Sequence, residues 1–81
     1  MGDHHRTGLE PIGARVRRLR IEQGMPQERL SLSAKIDQSG LSKFERSSRG
    51  VGPAVLRRIA GVLGVSFEEL IAGTDFGAVN Q

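Results

Sequence analysis

With 81 residues and 37% hydrophobic content, the chain has room for one domain around one small core, and the absence of cysteine excludes disulfide staples and thiolate zinc sites and points to a reducing, cytoplasmic setting. The net charge of +3 permits a polyanionic partner without requiring one. No apolar run approaches the roughly 20 residues of a membrane span, and the start Met1 to Arg6 lacks the apolar segment of a secretory signal.

Residues 1–9 mix Gly, His and charged residues without a period and read as a flexible N-terminal tail. Gly2 invites a myristoylation reading, but Arg6 stands where that motif wants Ser or Thr. Gly2-Asp3-His4 would become a metal-chelating terminus if Met1 were removed; His4 and His5 are read as tail, and no metal or cofactor is expected. From Pro11 the pattern changes. Ile12, Val16 and Leu19 recur at helical spacing, Pro11 suits a helix start and Gly24 a stop, which predicts a helix over 11–23. Arg15, Arg17, Arg18 and Arg20 occupy its other faces, read mainly as a solvated surface.

A second helix begins at Pro26 or Gln27, runs through Leu30 and Ala34, and gives way at Lys35-Ile36. Asp37 then caps a third helix over 38–46, its carboxylate accepting exposed amides and meeting the positive end of the helix dipole. This third helix has polar Gln38, Ser39, Ser42 and Lys43 on its outer face and Leu41 and Phe44 to anchor it inward. Ser47 to Gly52 is a loop by composition. Pro53 reopens a helix whose Val55, Leu56, Ile59, Val62 and Leu63 form an apolar stripe ending at Gly64. Ser66 to Glu69 spells a capping box for a short fifth helix with Leu70 and Ile71. The domain is placed at 10–73, with 74–81 as a C-terminal tail of ambiguous structure.

The order Arg20, Gly24, Gln27-Glu28-x-Leu30, Ile36, Leu41-Ser42-x-Phe44-Glu45-Arg46, Leu56, Ile59-Ala60, Leu63-Gly64-Val65-Ser66 and Glu69-Leu70 resembles the phage-repressor and Cro-like (XRE) family of DNA-binding proteins. The resemblance covers about residues 11–72. It implies an all-α, compact five-helix, lambda-repressor-like domain that reads double-stranded DNA with its third helix, usually as a homodimer. By position it implies base contacts from Gln38, Ser39 and Lys43. Gln38 is suited to adenine, in partnership with Gln27, and Lys43 to guanine, a good bidentate pair contributing roughly 1–3 kcal/mol of discrimination. It implies phosphate contacts from Gln27, Ser42, Arg46 and Arg49, and a structural ion pair between Arg20 and Glu45.

The chain departs from the family pattern at four positions. Pro26 stands where Ser or Thr usually caps the second helix, and Lys35 where Gly is common in the turn. Lys35 implies either a left-handed residue under mild strain or a turn that does not need one. Gly40 lies inside the third helix, which a close approach to DNA would explain, and Ser47 replaces a frequent Gly after Glu45-Arg46.

Catalysis is not expected: there is no cysteine nucleophile, phosphate-binding glycine loop, metal-spaced cluster or framed Ser-His-Asp set. Two function classes remain. One is a repressor or controller on a palindromic operator. The other is an antitoxin-like or adaptor module whose tail after Gly73 holds a protein partner. The polar and basic character of positions 38, 39, 43, 46 and 49 favours the first. Phe67, Leu70, Ile71 and Phe76 are read as core with a possible share in a dimer seam, and with no sensor domain in view, regulation is expected from concentration, a partner or degradation.

Overall fold

The first helix, α1 (Ile12–Glu22), follows a proline that offers no capping side chain, so its exposed N-terminal amides must find acceptors elsewhere. They find them far along the sequence: the Ile12 amide donates to Asp75 Oδ1 at 2.9 Å and the Gly13 amide to Ser48 Oγ at 2.8 Å. The architecture is that of a computed structural model, which describes residues 8–76. Readings that fall on residues 1–7 and 77–81, including the N-terminal glycine and histidines, lie outside the described residues.

The remaining helices are α2 (Gln27–Ala34), α3 (Gln38–Ser47), α4 (Pro53–Leu63) and α5 (Phe67–Ile71), giving five helices among the described residues. Their ends follow from local chemistry. Pro26 leaves α2 without a side-chain cap, and α4 starts at Pro53 and stops at Gly64 with φ 77°. The capping box at α5 is complete, with Glu69 N donating to Ser66 Oγ and Ser66 N to Glu69 Oε1, both at 2.9 Å. Lys35 resolves the question left at the turn: it is left-handed, φ 59° and ψ 48°, so the strain is real. Ser48 at φ 61° takes the second such position, one residue later than the Ser47 substitution suggests, and α3 is correspondingly one residue longer than expected.

The core is built from Ile12 and Val16 of α1, Leu30 and Ala34 of α2, Leu41 and Phe44 of α3, Leu56, Ile59, Ala60 and Leu63 of α4, and Leu70 of α5, all buried. Helix α3 packs against α1 and α2, and α4 bridges α2 and α5. One contact is unusually close. A Cβ added to buried Gly13 would lie 2.0 Å from the Phe44 carbonyl oxygen, so glycine there allows the backbones of α1 and α3 to touch.

The packed body extends past the boundary expected at Gly73. Glu10 N donates to Gly73 O and Asp75 N to Glu10 O, both at 2.9 Å, forming an isolated parallel bridge between residues 10 and 74. Thr74 is 2% exposed, and the Phe76 ring meets Phe67 edge-on at 6.1 Å. A domain ending at 73 is therefore too short by at least these three residues. Local pattern reads Thr-Asp as tail because their partners lie across the whole chain.

Candidate nucleic-acid interface

Helix α3 is placed by three buried side chains. Leu41 and Phe44 are fully buried, and Glu45 is 6% exposed. Glu45 receives Arg20 Nε at 2.7 Å and Nη2 at 2.9 Å, while Arg20 Nη1 donates to the Met25 carbonyl at 2.8 Å. The expected ion pair is thus present as a two-bond fork joining α1, the α1–α2 turn and the end of α3. Such a pair fixes geometry more than it adds net stability.

The start of α3 is held by Asp37, whose carboxylate accepts the Gly40 amide at 3.2 Å and the Ser39 hydroxyl. The Ser39 hydrogen bond, followed by the Gly40 amide, keeps the Asp37 carboxyl below its ordinary range. Ser39, expected at a base, is therefore occupied with its own helix cap in the free chain. Gln38 and Lys43 are exposed, and among the described residues no side-chain partner engages either of them. Gly40 needs no special space, its nearest neighbours to an added Cβ lying at 3.9 and 4.0 Å.

The residues expected at phosphates divide into two groups. Arg46 and Arg49 are exposed cations, and Arg46 Nη1 donates to Ser42 Oγ at 2.7 Å, which pre-orders both along the helix. Gln27 behaves differently. Its amide turns inward and donates to Glu45 Oε1 at 3.0 Å instead of pairing with Gln38, linking the first residue of α2 to the buried ion pair. Sequence reasoning missed this link, along with Gly13 and Arg58, whose Nε donates to the Ala34 carbonyl at 2.8 Å. A glycine placed just inside a helix start was a usable signal; one arginine among those of the fourth helix was not.

Arg15 and Arg18 of α1 are engaged in structure, whereas Arg17 is exposed. Arg15 donates to Glu10 at 2.6 Å and to the carbonyls of Glu69, Leu70 and Ala72 at 3.1, 3.2 and 2.8 Å, closing the C-terminal end of α5. Arg18 joins Glu10 and Glu22. The Arg18 hydrogen bond, with help from Arg15, pulls the Glu10 carboxyl below its usual value. No group of side chains that could hold a metal occurs among the described residues, and no helix there is long and apolar enough to cross a membrane.

A capped polar helix, set on a short turn from its predecessor and locked behind by a core ion pair, defines a helix-turn-helix domain. A helix-turn-helix family model matches residues 16–70. Over 64 residues the chain is 38% identical to the uncharacterized HTH-type transcriptional regulator y4dJ of Sinorhizobium fredii, covering 79% of this chain and 83% of that protein. It is 32% identical over 65 residues to the uncharacterized HTH-type transcriptional regulator RghRB of Bacillus subtilis, of which it spans 47%. Among solved structures it is similar to the N-terminal DNA-binding domain of SinR from Bacillus subtilis, with TM-score 0.66 and 32% identity over 73% of this chain and 87% of that one. It also matches a chain of the SinR protein/SinI protein complex, with TM-score 0.70 and 31% identity over 75% of this chain and 60% of that one. The chain belongs to the XRE-type helix-turn-helix family of DNA-binding transcriptional regulators.

Proposed function

We propose that the protein is a cytoplasmic repressor or controller that binds a palindromic operator as a homodimer, with α3 in the major groove. The observation that carries this reading is the division of labour on α3: Leu41, Phe44 and Glu45 face the body, while Gln38 and Lys43 stand exposed with unengaged hydrogen-bonding heads. Gln38, Ser39 and Lys43 would meet base edges, Ser39 after exchanging its bond to Asp37 for one to DNA. Arg46 and Arg49 would meet phosphates, with Ser42 holding Arg46 in place. Gln27 retains a second amide hydrogen for a phosphate after serving Glu45.

A second reading, a protein-interaction module whose segment after Gly73 holds a partner, draws support from the likeness to the SinR chain in its complex with SinI. Selection of random duplex DNA by the purified chain at about 0.15 M salt, where non-specific phosphate binding is weakened, separates the two. Enrichment of a palindrome with half-sites about 34 to 36 Å apart, one helical turn, is expected for the regulator. No enrichment by folded protein overturns it in favour of the partner reading.

A further inference from the structure

We propose that Arg58 is a positioning residue for DNA reading, clamping the α2–α3 turn from the neighbouring helix α4. The inference rests on α3 being the DNA-reading helix. Only Lys35, Ile36 and Asp37 separate α2 from α3, so the backbone path through these residues sets where α3 begins. Lys35 holds a left-handed conformation that a residue with a side chain resists. The turn's own bonds are uneven, Ile36 N to Ser31 O at 2.9 Å and Lys35 N to Leu32 O at 3.3 Å. They also leave the Ala34 and Lys35 carbonyls at the negative end of α2 to be satisfied from outside.

Arg58 does this. Its Nε donates to the Ala34 carbonyl at 2.8 Å and its Nη2 reaches the Lys35 carbonyl at 3.4 Å, so a planar cation bridges the two carbonyls that flank the strained Lys35 Cα. The charge suits the helix end it faces, and among the described residues no carboxylate competes for it. Leu56, Ile59 and Ala60 anchor α4 in the core on both sides of Arg58, giving the clamp a rigid base. Gln38 follows the turn directly and is the reading residue whose position depends most on it. Lys43, nearer the anchors Phe44 and Glu45, depends on it least.

The test compares wild type with Arg58→Ala by amide hydrogen exchange without DNA, and by affinity for the selected duplex and for a scrambled duplex of equal length across a salt series. Three results are expected together: faster exchange confined to the turn and the first residues of α3, a loss of about tenfold or more on the selected duplex, and unchanged affinity and salt slope on the scrambled one. A loss shared by both duplexes with a slope shallower by about 0.9 makes Arg58 a phosphate contact and overturns the proposal. Exchange raised uniformly, or unchanged affinity for the selected duplex, also overturns it. If Arg58→Ala does not fold, Arg58→Gln, which keeps one donor group, carries the same comparison. The wild-type control separates the levels: a wild type without preference for the selected duplex fails the DNA-reading function itself.

Discussion

Two glycines on neighbouring helices make opposite demands. Gly13→Ala would force a Cβ to 2.0 Å from the Phe44 carbonyl oxygen. The backbone must retreat, and thermal or denaturant unfolding is expected to show a loss of about 1–3 kcal/mol. Gly40→Ala meets only ordinary contacts at 3.9 Å and beyond, so the free protein should gain about 0.5–1 kcal/mol from better helix propensity. If α3 lies against base edges as proposed, the same substitution should weaken operator binding while it raises stability, and a variant improved in both would place Gly40 away from the DNA. The ion pair makes a third demand. Glu45→Ala leaves Arg20, whose side chain is 11% exposed, without its carboxylate partner and is expected to cost about 3–5 kcal/mol in denaturant unfolding. Replacing both partners by apolar residues of similar volume should cost much less, because no uncompensated charge remains.

At the scale of elements, the helices were legible because their signals are local. Spaced apolar residues, Asp37 before α3, Pro53 before α4 and the box at Ser66 each act within one or two turns of chain. The polar outer face of α3 was legible for the same reason. What local pattern could not carry was direction at a distance. Nothing near Gln27 shows that its amide turns to Glu45, 18 positions on, or that Arg58 serves a turn 23 and 24 positions behind it. The cap at Asp37 and the arginine bonds to Glu10 also set the acid behaviour of the fold. Asp37 and Glu10 both have folded-state carboxyls below their ordinary values, so the folded chain releases these protons more readily than the unfolded one. Their contribution is then full above about pH 5, near the upper edge of ordinary carboxylate titration, and is lost as pH falls through about 4 and below. Melting temperatures recorded from pH 7 to pH 3 should decline over that window, and Asp37→Asn, which can still cap, should flatten its share of the decline.

Across the whole molecule, the link from Asp75 to the first turn of α1 joins residues 63 positions apart. Asp75→Ala removes the acceptor of the Ile12 amide and is expected to lower stability by about 1 kcal/mol, the usual effect of a lost N-cap, read from the denaturation midpoint. The adjoining Gly13 amide bonds Ser48 just beyond α3, and the Gly13 backbone lies on the Phe44 carbonyl, so the two ends of the described chain and helix α3 share one stretch of packing. A residue-by-residue reading assigned Thr74 and Asp75 to a tail because polar residues after a glycine look the same whether they lie free or close a body.

The bridge between Glu10 and Thr74 also makes the order of the helices separable from their arrangement. Because the segments entering α1 and leaving α5 already lie side by side, a short flexible linker from Phe76 back to Gly8 would close the chain into a ring with little rearrangement. The ring could then be reopened at exposed Gly50, in the loop between α3 and α4. Such a circular permutant would begin with α4 and finish with α3, leaving the α2–turn–α3 unit covalently whole.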